Sequence, residues 1–117
     1  VSDGSAYESA AAAHLRGAGL AEVARNVRCR HGEIDLVMRD GRVVVFAEVR
    51  YRRRAEFGGA AGSVDGRKQA RLAAAARWYL AQHPALAREA CRFDVIAITG
   101  DAPYRIDWLR DAFQPES

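Results

Sequence analysis

Cysteine, lysine and long apolar runs are scarce in this 117-residue chain. No apolar run approaches the roughly 20 residues that cross a bilayer. The opening Val1-Ser2-Asp3-Gly4 has neither the basic nor the apolar part of a secretory leader. A membrane span and a signal peptide are therefore not expected. Cys29 and Cys91 are the only cysteines, with no C-x-x-C between them. They suit a reducing cytoplasm, and a disulfide between them stays open. His14, His31 and His83 are scattered without the spacing of a zinc site and read as ordinary surface or loop residues. What is plentiful is hydrophobic residues, at 50%, enough for one domain over 1–117 with one core.

The net charge of +3 conceals an uneven distribution. Arg50, Arg52, Arg53, Arg54, Arg67, Lys68, Arg71 and Arg77 fall within residues 50–77, against Glu56 and Asp65, so this stretch carries +6 and the remainder −3. A local basic block suggests a polyanionic partner. The near-exclusive use of arginine, with abundant alanine, is also what codon bias in a GC-rich genome produces. Bias explains arginine over lysine better than it explains the clustering.

The chemistry centres on residues 33–50. Two short runs alternate apolar residues with acids, and Asp40-Gly41 between them has the composition of a two-residue hairpin turn. That turn sets Phe46 opposite Asp35 and Glu48 opposite Glu33. Asp35 and Glu48 are then diagonal neighbours on one sheet face, with Cβ atoms roughly 7–8 Å apart. A four-residue loop keeps this pairing, whereas a three-residue loop with a bulge does not. Two carboxylates across such a gap could hold a divalent ion. Acids are depleted in strands and costly to bury unpaired. The bland alternative is a wet sheet face whose acids are balanced by Arg39, Arg42 and Arg50.

Around this hairpin the chain reads as helix, three strands, helix and two strands. Residues 5–18 form the first helix, with Ser5-x-x-Glu8 as a capping box. Capping accounts for Glu8; the alternative is a third carboxylate brought over the sheet. Residues 20–30 make the first strand of a three-stranded meander. After Tyr51, Arg52-Arg53-Arg54 leads into a small-residue loop at 56–62, which either closes on a ligand or merely connects. The arginines before it either grip phosphates or form a solvated edge. The second helix runs over 65–83, capped by Ser63 or Asp65, with Leu72, Ala76, Tyr79 and Leu80 as its core stripe. Lys68 and Arg71 stand on the adjacent stripe, where the ordinary reading of Lys68 is a surface residue. Residues 93–99 are a buried strand, 100–103 a turn, and 104–109 the last strand. One sheet of about five strands with two helices packed on it is the economical α/β architecture.

Several stretches together resemble the YraN family of small bacterial endonuclease-like proteins. They are G-E-I-D-L at 32–36, F-A-E-V-R-Y-R at 46–52, F-G-G-A-A at 57–61, V-D-x-x-K-Q at 64–69, R-F-D-V-I-A at 92–97 and D-A-F at 111–113. The resemblance implies a restriction-endonuclease-like α/β fold, with a central mixed sheet of about five strands and flanking helices, similar to archaeal Holliday-junction resolvases. That superfamily uses an acid, then acid-x-Lys on the next strand, often with a glutamate from the first helix. Carried over, these are Asp35, Glu48 and Glu8, and the implied metal is Mg²⁺, with Mn²⁺ as the alternative. Arg50 stands where the motif has lysine. Arginine stays protonated and cannot act as a general base, though it can hold a phosphate. Lys68 is the candidate for the missing amine.

The leading expectation is thus a metal-dependent nuclease acting on DNA, branched or flapped. Glu8, Asp35 and Glu48 would bind the metal, and Arg50 and Lys68 would take part in the chemistry. Arg52, Arg53, Arg54, Arg67 and Arg71 would hold the nucleic acid. A homodimer is compatible with such a role, although no interface signature is visible. The alternatives are a non-catalytic nucleic-acid-binding module on a nuclease scaffold and a protein-interaction domain.

Overall fold

The elements follow the hydrophobic periods of the sequence. The computed structural model describes residues 4–54 and 64–114, with side chains from residue 6 onward. In order these are α1 (Gly4–Gly17), β1 (Ala21–Cys29), β2 (Gly32–Asp40), β3 (Val43–Arg52), α2 (Gly66–Gln82), α3 (Pro84–Ala87), β4 (Cys91–Thr99) and β5 (Arg105–Phe113). The small-residue loop expected at 56–62 and the Ser63 cap lie outside the described residues.

The sheet has five strands in the order β1-β2-β3-β4-β5. The first three form the expected antiparallel meander. β3 and β4 are parallel, and β4 and β5 antiparallel. Parallel neighbours require a crossover, and α2 lies on it. A mixed five-stranded sheet flanked by helices is the architecture expected from the sequence, and it is compatible with a restriction-endonuclease-like fold. Among the described residues no helix is long and apolar enough to cross a membrane.

The two sheet faces carry separate cores. Ala11, Ala12 and Leu15 of α1 pack on Leu36, Met38, Val45, Ala47, Ile96 and Ile98. On the other face Leu72, Ala73, Ala75, Ala76 and Tyr79 of α2 pack on Val37, Val44, Phe46 and Phe93. Burying a side chain such as Phe46, which is fully enclosed, contributes about 1.5–3 kcal/mol. The strands shared by both cores are apolar on both sides, as buried parallel strands are.

Three local expectations change. The hairpin loop is Gly41-Arg42, not Asp40-Gly41, because Asp40 pairs with Val43. Gly41 has φ +60, and Arg42 is not among the positive-φ residues. Glycine first, then an ordinary residue, is the φ pattern of a II′ turn. Asp40 is held in its strand by Arg92, whose Nη1 donates to Asp40 Oδ2 at 2.9 Å. Secondly, α1 already includes Gly4. Ser5 is therefore inside the first turn and Glu8 lies beyond the position a capping box uses. Glu8 instead faces the Asn26 side chain of β1, which favours its charged form. Thirdly, β5 continues to Phe113 rather than ending at Leu109. Asp94, completely buried, accepts from the Asp111 backbone N–H at 2.9 Å and from Trp108 Nε1 at 2.8 Å. Those bonds carry the strand through an irregularity at Asp111, whose φ is +50.

α2 is capped by Asp65, whose Oδ1 accepts from the Lys68 backbone N–H at 3.0 Å. This cap sets the position of Lys68 one turn into the helix.

Candidate active site where two strands part

The β2–β3 ladder ends at Leu36 and Ala47. One step further along each strand stand Asp35 and Glu48, which the shifted hairpin register makes direct rather than diagonal neighbours. Here side chains replace the ladder. The Val49 backbone N–H donates to Asp35 Oδ2 at 2.8 Å, and the carboxyl group of Glu48 stands close enough to that of Asp35 to raise its pKa.

The strands part because β1 and β2 turn over at this point. Asn26 has φ +55, and the β1–β2 pairing skips from Arg25–Leu36 to Val27–Ile34. Ile34 packs with α2 while Leu36, two residues on, packs with α1. Regular alternation would put both on one face. Asp35 sits at the reversal, opposite the kinked Asn26.

The electrostatics follow from this placement. Asp35 is pushed up to about 7 from an ordinary 3.8, first by burial, then by the charge of Glu48, with Glu33 adding to it and the Val49 N–H opposing. Glu8 is also raised, by burial and then by the charge of Asp35, while Asn26 and Arg25 work the other way. Glu48 has a cation beside it: Arg50 Nη1 lies 3.4 Å from Glu48 Oε2, with both side chains less than one-fifth exposed.

Glu48 opens into a cleft of about 110 Å³ lined also by Glu33, Lys68, Arg71 and Leu72. Lys68, Arg71 and Leu72 project together because they are one helical turn apart on α2. Of the residues singled out from the sequence, Asp35, Glu48, Arg50, Lys68 and Arg71 thus meet around one place. Glu8 approaches from α1 on the opposite face. Arg52 ends β3, half-buried, with its Nη1 donating to the Tyr51 carbonyl at 3.2 Å. Arg53, Arg54 and Arg67 are exposed.

Among the described residues no three His, Cys, Asp or Glu side chains gather closely enough to hold a metal ion. The carboxylates in mutual contact are two, Asp35 and Glu48. Their chemistry fits a hard divalent cation, which is often held by one or two carboxylates and keeps several waters. Asp35 Oδ1 stays available when Val49 holds Oδ2, and a cation between the two acids would offset their mutual repulsion. Asn26 and Glu33 were not singled out from the sequence. A lone asparagine within a strand run is the signal that could have found the first, since asparagine adopts positive φ more readily than other non-glycine residues.

A family model described as "Uncharacterised protein family UPF0102" matches residues 7–98. A UPF0102 protein of Xanthomonas campestris pv. campestris (strain B100) is 57% identical over 111 residues, covering 95% of this chain and 90% of the relative. One of Pseudomonas entomophila (strain L48) is 54% identical over 113 residues, with 95% and 92% covered. One of Xanthomonas oryzae pv. oryzae (strain PXO99A) is 52% identical over 113 residues, with 97% and 92% covered.

Proposed function

The chain belongs to the uncharacterised UPF0102 family, for which YraN is the other name, and we propose that it is a metal-dependent nuclease hydrolysing phosphodiester bonds in DNA, branched or flapped. The observation that carries this reading is the half-buried Asp35–Glu48 pair. Burial and mutual repulsion hold the Asp35 carboxyl near 7. Such an arrangement costs stability unless a cation or proton occupies it, and it opens into a cleft with cationic side chains on the facing helix.

Asp35 and Glu48, with Glu8 from α1, would hold Mg²⁺ or Mn²⁺. When bound, the ion polarises the scissile phosphate and lowers the pKa of an attacking water. The Val49 N–H orients Asp35 so that one carboxylate oxygen is already committed. Arg50 fixes Glu48 through their ion pair and stabilises charge developing on the phosphate. Lys68 brings to the cleft the amine that the acid-x-Lys pattern would carry at position 50. Arg52, Arg53, Arg54, Arg67 and Arg71 bind the phosphate backbone on either side.

A second reading, a nucleic-acid-binding module without catalysis, is favoured by Arg50 in place of a lysine and by its ion pair with Glu48. Cleavage of labelled single strand, duplex, flap and four-way junction separates the two, run with Mg²⁺, Mn²⁺ or EDTA beside Glu48→Ala. Metal-dependent cutting that disappears in Glu48→Ala or Asp35→Ala, with metal-free DNA binding retained, supports the nuclease. Salt-sensitive binding without cutting refutes it in favour of the module. Neither cutting nor binding points to a protein-interaction domain.

A further inference from the structure

The turn between β1 and β2 carries a feature that the candidate site does not use. Arg28, Cys29, Arg30, Gly32 and Glu33 line a second, shallower cleft of about 280 Å³ together with Arg71. It shares Glu33 and Arg71 with the cleft that holds Glu48 and Lys68, so the two form one continuous groove.

The groove wall is held against the helix. Gly32 has φ +153, and a Cβ there would lie 3.0 Å from the Arg71 carbonyl oxygen and 3.3 Å from Arg71 Cβ. Only glycine allows the turn to rest this closely on α2 with that backbone. Arg71 therefore stands at a fixed place between the turn and the acid pair.

The charges of this cleft are three arginines against one glutamate. Arg28 faces Glu33 with 3.4 Å between Nε and Oε2, both side chains more than half exposed. Such a pair contributes little and exchanges readily for another anion. The ion pairs among the described residues involve neither Arg30 nor Arg71. A planar guanidinium matches two phosphate oxygens, and arginine is the usual choice for phosphodiester recognition.

We infer that Arg28, Arg30 and Arg71 form a phosphodiester-binding subsite that receives the DNA strand leaving the Asp35–Glu48 pair along the β1–β2 turn. This rests on the nuclease reading for the strand's origin, but the subsite itself is open to a binding test without cleavage. Glu33 sits where the strand would pass and repels it. β2 and β3 run antiparallel, so the turn lies beyond the acid pair at the same end of the sheet as Arg52, and the two together set which side of the scissile phosphate the protein holds.

The test is fluorescence anisotropy of a labelled DNA duplex with the whole chain in EDTA, across a series of salt concentrations. Each lost phosphate contact should reduce the log–log salt slope by about 0.9. Arg28→Gln with Arg30→Gln is expected to flatten it by about 1.8 on that scale and to weaken binding at low salt. Glu33→Gln is expected to tighten binding, an effect that misfolding does not produce. Arg88→Gln removes one such charge from an exposed site beyond the far end of α2 and should leave the slope unchanged.

If wild type binds and both the double variant and Glu33→Gln match it, the subsite is refuted while the nuclease reading stands. Equal flattening by Arg88→Gln also refutes it, because diffuse charge would then explain the effect. If wild-type protein shows no salt-dependent binding, the subsite and the nucleic-acid readings fall together.

Discussion

Replacing Asp35 by asparagine is expected to stabilise the metal-free protein near neutral pH. The pKa of the Asp35 carboxyl stands at about 7 in the folded chain against 3.8 for an ordinary aspartate. Below 3.8 the carboxyl is protonated in both states and contributes nothing. Between 3.8 and about 7 the folded chain keeps a proton that the unfolded chain has released, so stability falls as pH rises. Above about 7 the loss is complete. Each pKa unit is worth about 1.36 kcal/mol, which sets a ceiling of about 4 kcal/mol. Water penetration and relaxation around a half-buried group reduce this to about 2 kcal/mol. For a domain of this length that is roughly 8 °C in Tm. Asparagine removes the cost while keeping the geometry, because its amide oxygen can accept the Val49 N–H and its amide N–H can donate to Glu48. Thermal and urea denaturation of both proteins in EDTA, at about pH 5 and about pH 8, measures the difference. The gap should widen with pH. Adding Mg²⁺ should raise the Tm of wild type but not of Asp35→Asn, since a ligand at 100 times its Kd contributes about 2.7 kcal/mol. A variant less stable than wild type, or a gap that does not change with pH, would refute the reasoning.

Other expectations follow from the same geometry. If Lys68 supplies the amine, Lys68→Ala should lower the cleavage rate by about 10²-fold or more, with metal-free DNA binding little changed; an unaltered rate removes Lys68 from the reaction. Gly32→Ala should cost about 1–3 kcal/mol in urea denaturation, because alanine meets both an unfavourable φ and the Arg71 carbonyl. Asp94→Ala should cost about 3–5 kcal/mol. It leaves Arg92 Nε, Trp108 Nε1 and the Asp111 N–H without their acceptor, and a loss below about 1 kcal/mol would show that water replaces the carboxylate.

The element order was legible because its signals are local. The apolar stripe of Leu72, Ala76 and Tyr79 announces α2, and Asp65 followed by Lys68 announces its cap. The apolar run at 93–98, interrupted by Asp94 alone, announces a buried strand. Where expectation and structure differ, a distant partner decided. Asp40 is held in its strand by Arg92, 52 residues away, and that moves the hairpin turn by one residue. Glu8 turns from its own helix end toward Asn26. β5 is lengthened by Asp94, which needs donors inside the core.

For the candidate site the division is similar. The sequence by itself determined the residue types: two acids on adjacent strands, an arginine where a lysine is expected, a lone lysine on the next helix and a basic block around them. Periodicity also put Asp35 and Glu48 on one face, because any odd hairpin sum does so. Only the tertiary structure decided that they are in direct contact, since this depends on the turn register. Only it decided that Asp35 is held near 7, since burial and the charge of Glu48 arise from packing. The reversal at Asn26, the seat of Gly32 on α2 and the groove that joins Arg28, Arg30 and Arg71 to the acids likewise come from elements far apart in the chain. A one-dimensional pattern records which side a residue faces; what it meets there is set by the other layer of the fold.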